Sequence, residues 1–359
     1  MGFHLKIMNY RKIRSADFNP DGVCLLVGPN GSGKSTLLSA IELLRNTFER
    51  GFDTAINLAG GHWISNLDLP DRPTTFKIGT SDLQWNLYIE DSICVEKVTQ
   101  GDFGSPLSVF LLKDIYDKKN DLTTNIDSPK LENFIRILTQ YRNYHDYHLW
   151  QLRKSGSQAG SESELHSRGQ NAFSVLRNWH TSRPLRERYD FVINGLREAF
   201  PSFFDDLDFE SAGQTVTIRI YPPHSDIPVP VYFASNGFLA AMLHLMAVCS
   251  APDGGIVGID EPENSLHPYA IKMLINAFRE RAEERDLTVL LATHSGFMLN
   301  RFKNEAHRVY VMDQNEEEQL VRLDAIRDPE WLKYFSLGDL YGNDFAIQEQ
   351  DAEADDEHN

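Results

Sequence analysis

Residues 28–36 read Gly-Pro-Asn-Gly-Ser-Gly-Lys-Ser-Thr, and they restrict what this chain can fold into more than any other stretch. Gly28, Gly33, Lys34 and Ser35 fall on the spacing G-x-x-x-x-G-K-[ST]. An apolar run at 23–27 precedes them. A helical pattern starts at about Lys34, with Leu37, Ile41, Leu44 and Phe48 on one stripe. A strand that ends in a glycine-rich loop and feeds a helix is a cradle for phosphate. The glycines let the backbone approach an anion closely, and the N–H groups of the loop and helix start supply partial positive charge. Lys34 is placed to reach the β- and γ-phosphates of a nucleotide, and the Ser35 hydroxyl to bind Mg2+. Asn30, Gly31, Ser32 and Thr36 complete the cradle. A glycine-rich turn without a ligand is the alternative, and the flanking strand and helix argue against it.

A phosphate cradle needs a carboxylate for the metal and a group that activates water, and residues 256–261, Ile-Val-Gly-Ile-Asp-Glu, offer both. An apolar strand ending in an acid puts that acid at the C-terminal edge of a sheet. Asp260 is then the metal ligand and Glu261 the general base; an acidic helix cap before Pro262 is the plainer reading. A second buried strand, within Val-Leu-Leu-Ala-Thr-His at 289–294, ends at His294, which is placed to sense the γ-phosphate. Strands are expected near residues 3–7, 85–95, 215–221, 256–259, 287–292 and 308–312, and helices over 238–249, 268–284 and 296–302. The closing β-α-β-α-β order predicts a parallel sheet covered by helices. Residues 155–164, Ser-Gly-Ser-Gln-Ala-Gly-Ser-Glu-Ser-Glu, read as a flexible loop or linker inside a mainly helical stretch.

Composition excludes several classes. At 41% hydrophobic, 359 residues can bury a sizeable core in one or two domains. Cys24, Cys94 and Cys249 are too few and too scattered for a disulfide framework or a cysteine-based zinc site. The longest apolar stretch, 238–249, is interrupted by His244 and is short of the ~20 residues that span a bilayer. With no apolar leader, the expectation is a soluble, cytoplasmic protein without a membrane partner. The net charge of −17 opposes nonspecific binding to nucleic acid, though a local basic groove escapes that argument. Part of the acidity lies in 345–359, which reads as a disordered tail.

Gly-Pro-Asn-Gly-Ser-Gly-Lys-Ser-Thr, then Ile-Asp-Glu-Pro-Glu-Asn-Ser-Leu-His-Pro (259–268), then Ala-Thr-His-Ser (292–295) resemble the ABC-type ATPases of the RecF, SMC and OLD group. The opening 9–18, the middle 168–179 and the ending 331–342 bring the resemblance closer to the stand-alone ATPases called AAA-21. The resemblance implies an α/β P-loop NTPase fold, an ABC-ATPase-like mixed sheet flanked by helices. Residues 1–100 would carry the phosphate loop, 101–200 a mainly helical insertion, and 201–344 the signature, acidic strand and histidine. It also implies a homodimer with ATP sandwiched between the phosphate loop of one subunit and a signature segment of the other. That segment matches Ala234-Ser235-Asn236-Gly237-Phe238, in which Ser235 and Gly237 keep the family's hydroxyl and close approach while Ala234, Asn236 and Phe238 depart from it. Asn264, Ser265 and His267 would touch the partner subunit. Neither Gln84 nor Gln170 has the local context of the family's Q-loop glutamine. Arg11 and Lys12 either reach the nucleotide or end a solvated strand.

The resemblance implies a nucleotide-gated switch for a separately encoded effector, in bacterial defence against phage or plasmid. The rivals are a DNA-repair ATPase that binds DNA directly and the nucleotide-binding subunit of a transporter. Arg142, Arg153, Lys154, Arg168, Arg177, Arg183, Arg186 and Arg188 form either a nucleic-acid groove or a solvated helical face. Tyr141, Tyr144, Tyr147 and Trp150 have helical spacing around His145, Asp146 and His148, which reads as core or interface rather than a metal site.

Overall fold

The computed structural model describes residues 2–61, 64–66, 68–69, 71–81, 83–90, 93–100, 106–108, 128–313, 318–332, 334 and 336–342. The acidic segment 345–359 lies outside the described residues. Packing divides the chain into a continuous unit, Ile135–Leu291, and a discontinuous one, Gly2–Phe134 with Ala292–Asn359. This division falls within one helix and one strand.

The discontinuous unit begins with β1 (His4–Tyr10), β2 (Ile13–Phe18), β3 (Val23–Val27), α1 (Lys34–Arg50) and α2 (Phe52–Leu58). It goes on through β4 (Thr74–Gly79), β5 (Leu83–Glu90), β6 (Ile93–Gln100) and β7 (Pro106–Ser108). Then α3 (Ser128–Thr139) crosses into the continuous unit. That unit holds β8 (Tyr141–Tyr144), α4 (Leu149–Ser155), β9 (Ser157–Gln158), α5 (Ala172–Thr181) and α6 (Arg186–Ala199). After β10 (Asp206–Ala212), β11 (Thr215–Tyr221) and β12 (Val229–Pro230) come α7 (Asn236–Ser250), β13 (Ile256–Asp260), α8 (Pro268–Arg285) and β14 (Thr288–Thr293), within which the division falls. The discontinuous unit resumes with α9 (Gly296–Asn300), β15 (Val309–Met312), β16 (Leu320–Arg322), α10 (Leu323–Ile326), α11 (Pro329–Leu332) and α12 (Leu337–Gly342).

In the discontinuous unit an antiparallel sheet has the order β2-β1-β4-β5-β6-β7. β1 and β2 form a hairpin closed at Tyr10↔Ile13, with Arg11 in the left-handed region (φ 49°). β15 runs parallel to β3 and antiparallel to β16. Gln319 joins the hairpin to β16: its amide oxygen accepts from the Arg14 N–H at 2.7 Å, and its own N–H donates to Ser15 O. In the continuous unit β8 lies parallel to β13, and a small antiparallel sheet has the order β10-β11-β12 with β9 added on β11.

Two local expectations change. The aromatic run at 141–150 is not one helix: Tyr141 and Tyr144 sit in β8 and are buried, Tyr147 comes after the strand, and only Trp150 belongs to a helix, where it is exposed. The Ser/Gly-rich segment 155–164 is pinned rather than loose. Its β9 pairs with β11, and Asn178 Nδ2 donates to the carbonyls of Gly160 and Glu162, both at 2.8 Å. The Trp179 indole donates to Ser163 O at 2.9 Å.

α7 is apolar on every side, and from Gly237 to Ser250 each residue is buried, as a helix without a polar face must be. Its first turn is anchored by Phe238, whose ring meets Phe200, Phe203 and Phe204 at centroid distances of 5.5, 5.4 and 5.2 Å. Edge and tilted contacts of this kind add to what burial alone contributes. Cys24 and Cys249 are buried in the two units, and burial pushes both thiols up to about 12, which suits inert core residues. Replacing Phe238 with Ala should empty the centre of the aromatic cluster and destabilise the protein by about 3–5 kcal/mol. Urea unfolding monitored by tryptophan fluorescence measures this, and a loss under about 1 kcal/mol would mean that the cluster collapses to fill the space.

Candidate functional site

β3 is buried at all five positions and delivers the chain to the glycine-rich loop. A Cβ placed on Gly28 would lie 2.5 Å from Met312 O and 2.7 Å from Ser32 Oγ, so only glycine fits there. Gly31 (φ 82°) and Gly33 (φ 111°) take left-handed conformations that curl the loop before α1 starts. Lys34 is buried in the first turn of α1. Its Nζ donates to the carbonyls of Gly28 at 2.7 Å and Pro29 at 2.9 Å, arching across the loop. Ser32 Oγ is buried without a hydrogen-bond partner. A buried hydroxyl in that state costs about 1–3 kcal/mol, and a phosphate oxygen seated in the loop would relieve it. Asn30, Gly31 and Ser35 are exposed and Thr36 is half-buried. The loop therefore fits a phosphate chain by shape, by its buried donor and by its lysine.

The same unit carries His294, exposed just after β14. The residues on its C-terminal side fix its position. The Ser295 N–H donates to Thr293 Oγ1 at 2.9 Å, and Ser295 Oγ caps α9 by accepting from Met298 N–H. α9 packs on α12 so closely that Gly296 and Gly338 meet backbone to backbone, and Asn300 Oδ1 accepts from Gly338 N–H at 2.9 Å. α12 thus serves as a brace for the segment after His294. Arg11 is engaged locally, donating to Ala59 O and lying over the Tyr10 ring.

In the continuous unit, β13 ends at Asp260, and Glu261 turns the chain in the left-handed region (φ 49°). The Glu261 carboxylate accepts from Asn264 Nδ2 at 2.6 Å, and its carbonyl accepts from Asn264 N–H at 3.1 Å. Ser265 is also left-handed (φ 66°), and His267 caps α8 by accepting from Tyr269 N–H at 3.2 Å. Ser235 caps α7, its Oγ accepting from Phe238 N–H at 3.1 Å. A Cβ on Gly237 would lie 2.4 Å from Ser265 O, so the start of α7 abuts the turn after Glu261. Asn236 Oδ1 accepts from Arg153 of α4. The fold thus brings together Ser235, Gly237, Glu261, Asn264, Ser265 and His267.

The β8–β13 register also places His145, which the sequence singled out only together with Asp146 and His148. Tyr144 pairs with Ile259, so His145 follows at the end of β8 as Asp260 closes β13. Behind this edge lies His244 of α7, 3% exposed, with the Tyr147 hydroxyl 3.3 Å from Nδ1. Burial lowers its pKa to about 4.

Among the described residues no group of three or more His, Cys, Asp or Glu could hold a metal ion by itself. His145 Nδ1 contacts Asp146, and His148 contacts Arg168. Ser35 in the discontinuous unit and Asp260 in the continuous unit each offer a hard oxygen, the donor type that suits Mg2+. Most of the basic residues at 142–188 are occupied within the unit. Arg142 pairs with Glu164 and Arg186 with Asp190, Arg177 reaches Ser211, and Lys154 and Arg188 lie over Trp150 and Trp179. That arrangement favours a solvated helical face over a groove. Among the described residues no helix is long and apolar enough to cross a membrane.

A family model for an AAA ATPase domain, AAA_15, matches residues 3–299. The chain belongs to that family. No curated protein sequence matches it. Its fold is similar to SMC head domains. An SMC head bound to the C-terminal winged-helix domain of ScpA aligns with a TM-score of 0.53 at 11% identity, over 90% of this chain and 99% of that one. The SMC head domain from Thermotoga maritima gives 0.51 at 14%, over 89% and 98%. An SMC head with an extended coiled coil, bound to the C-terminal domain of ScpA from Pyrococcus furiosus, gives 0.54 at 11%, over 92% and 98%. This AAA_15 chain thus carries an AAA ATPase domain with a mixed α/β fold of sheets flanked by helices, similar to that of the SMC heads.

Lys34→Ala removes the only side-chain cation of the loop. Charge-assisted hydrogen bonds contribute about 1.5–3 kcal/mol each, so losing contacts to two phosphates should weaken ATP binding roughly 10²–10⁴-fold. Titration of a fluorescent ATP analogue into the folded variant measures it, and unchanged affinity would remove Lys34 from the site.

Proposed function

We propose that this AAA_15 protein binds and hydrolyses ATP at a composite site in a homodimer and acts as a nucleotide-gated switch for a separate effector. The observation that carries the reading is the loop at 28–36, with its glycine-only entry, its arched Lys34 and its partnerless buried Ser32 hydroxyl. Residues 28–36 hold the phosphates through backbone N–H groups and Lys34. Ser35 and Asp260 hold Mg2+, which when bound neutralises charge on the β- and γ-phosphate oxygens. Glu261 accepts a proton from the attacking water. Asn264 orients that carboxylate through its amide, and His294 senses the γ-phosphate.

Ser235 and Gly237 complete the site of the partner subunit, with Asn264, Ser265 and His267 beside them. Ser235 is exposed at the start of α7 with its backbone already fixed by its cap, which suits a hydroxyl offered to a neighbouring molecule. ATP then favours the dimer over ADP only through the contact to the γ-phosphate. Two of the similar SMC heads were solved with a domain of ScpA, a separate polypeptide, and that precedent supports an effector here. The likeness to stand-alone AAA-21 ATPases supports a role in the cytoplasm, in defence against phage or plasmid.

Glu261→Gln should bind ATP and form a dimer but turn over at least about 100-fold more slowly, because the amide cannot take the proton. Phosphate release measures this, and a wild-type rate would place the base elsewhere. Ser235→Arg should leave nucleotide affinity of the monomer within about twofold and abolish turnover, since only a contact made in the activated dimer is lost. Mixed with Lys34→Ala protein, it should regain part of the activity, because one of the two sites in a mixed dimer is intact. Turnover against mixing ratio, with light scattering to show mixed dimers, decides it: no recovery in dimers that form would overturn the trans assignment.

A further inference from the structure

One face of the antiparallel sheet in the discontinuous unit carries a charge pattern that packing does not call for. Alternation along β1, β4, β5 and β6 sends Leu5, Phe76, Trp85, Leu87 and Val98 to the buried side. On the opposite side, register sets Lys6 across from Lys77, Lys77 across from Asn86, and Asn86 across from Lys97. One row over four neighbouring strands therefore holds three lysines and an amide. At ~4.8 Å between strands, the row spans about 14 Å.

Like charges directly opposite each other on an antiparallel pair destabilise it. Lys6 and Lys77 stand so, and an acid at either position would turn the repulsion into attraction. Asp17 of β2 relieves one end of the row, with Oδ2 3.8 Å from Lys6 Nζ and Oδ1 2.6 Å from His4 Nε2. Lys77 and Lys97 are exposed and form no ion pair among the described residues. In a chain of net charge −17, this face is a local exception.

The row runs through a concavity of about 670 Å³, whose lining includes Thr75, Lys77, Gln84, Asn86, Tyr88 and Lys97. In the adjacent row Tyr88 stands between Thr75 and Val95. Tyr88 is 41% exposed, and its hydroxyl donates to the Glu90 carboxylate at 3.1 Å, which steadies the ring at the surface. Lysines beside an exposed aromatic ring match the two needs of an unpaired nucleic-acid strand, charge for its phosphates and a flat surface for a base. A duplex keeps its bases stacked inside and offers nothing to the ring. An acidic peptide would satisfy the lysines alone.

We propose that this face of β1, β4, β5 and β6 binds single-stranded nucleic acid, with Lys6, Lys77 and Lys97 on phosphates and Tyr88 against a base. It does not depend on the roles given to Glu261 or Ser235.

Fluorescence anisotropy of a labelled oligodeoxythymidine or oligouridine of about 15 nucleotides, titrated with the full-length protein, tests this. Binding of either strand supports it. The wild type should bind at low salt, with a log–log salt slope near −2, from three phosphates at about −0.7 each. Lys77→Gln combined with Lys97→Gln should weaken binding at least about 10-fold and flatten the slope by about 1.4. Arg50→Gln combined with Lys272→Gln removes the same charge from exposed sites off this face and should change neither. Tyr88→Ala should weaken binding about 5- to 100-fold at an unchanged slope, and Tyr88→Phe should restore it. The thermal midpoint of the Lys77/Lys97 variant should hold or rise, because repulsion of Lys6 is removed. No binding by the wild type, an equal loss in the charge control, or a midpoint that falls in the lysine variant overturns the proposal. So does a duplex of the same length, or polyglutamate, bound as tightly as the single strand.

Discussion

Gly237 can have no side chain because the carbonyl oxygen of Ser265 is already where a Cβ would come, at 2.4 Å. That approach sets the position of α7 against the turn at the end of β13. Ser235 caps the helix immediately before it and Phe238 buries its ring immediately after, so the backbone at 237 is held on both sides. The first turn of α7 and the residues 261–267 therefore behave as one packed piece. Packed interiors transmit displacement rather than absorb it. If Ser235 is drawn toward a neighbouring molecule, Glu261 and Asn264 are carried with it.

The departures of this segment from the ABC-type signature it resembles become intelligible in the same terms. Phe238 is the centre of a four-ring cluster with Phe200, Phe203 and Phe204. Asn236 is held by Arg153 of α4. Within this stretch Ser235 serves as the helix cap, and Gly237 admits no Cβ. The residues around them are free to serve the local core.

The phosphate loop, the two strands after it in the motif order and α7 are legible in the sequence because each signal is local. Glycines at fixed spacing, an acid closing an apolar run, and an apolar stretch of helical length all fall within a dozen residues. β8 is not legible, because Tyr-Arg-Asn-Tyr is too short to show alternation. Its two tyrosines, three apart, imitate a helical stripe although a strand sends them to opposite faces. The loop at 155–164 misleads for the converse reason: its composition is that of a linker, but the groups that hold it, Asn171, Asn178 and Trp179, lie up to 18 residues away. The place of His145 depends on register between strands more than a hundred residues apart in sequence, which neither spacing nor residue type encodes.

The segment after β8 touches α7 at two heights. Arg153 bonds Asn236 in the first turn, and Tyr147 bonds His244 further along. Positions 236 and 244 are separated by about 12 Å along a helix at 1.5 Å per residue. One contact would leave α7 free to pivot about it; two contacts at that spacing do not. Residues 141–155 and α7 are thus bound to move together, and α7 in turn abuts the turn bearing Glu261 through Gly237.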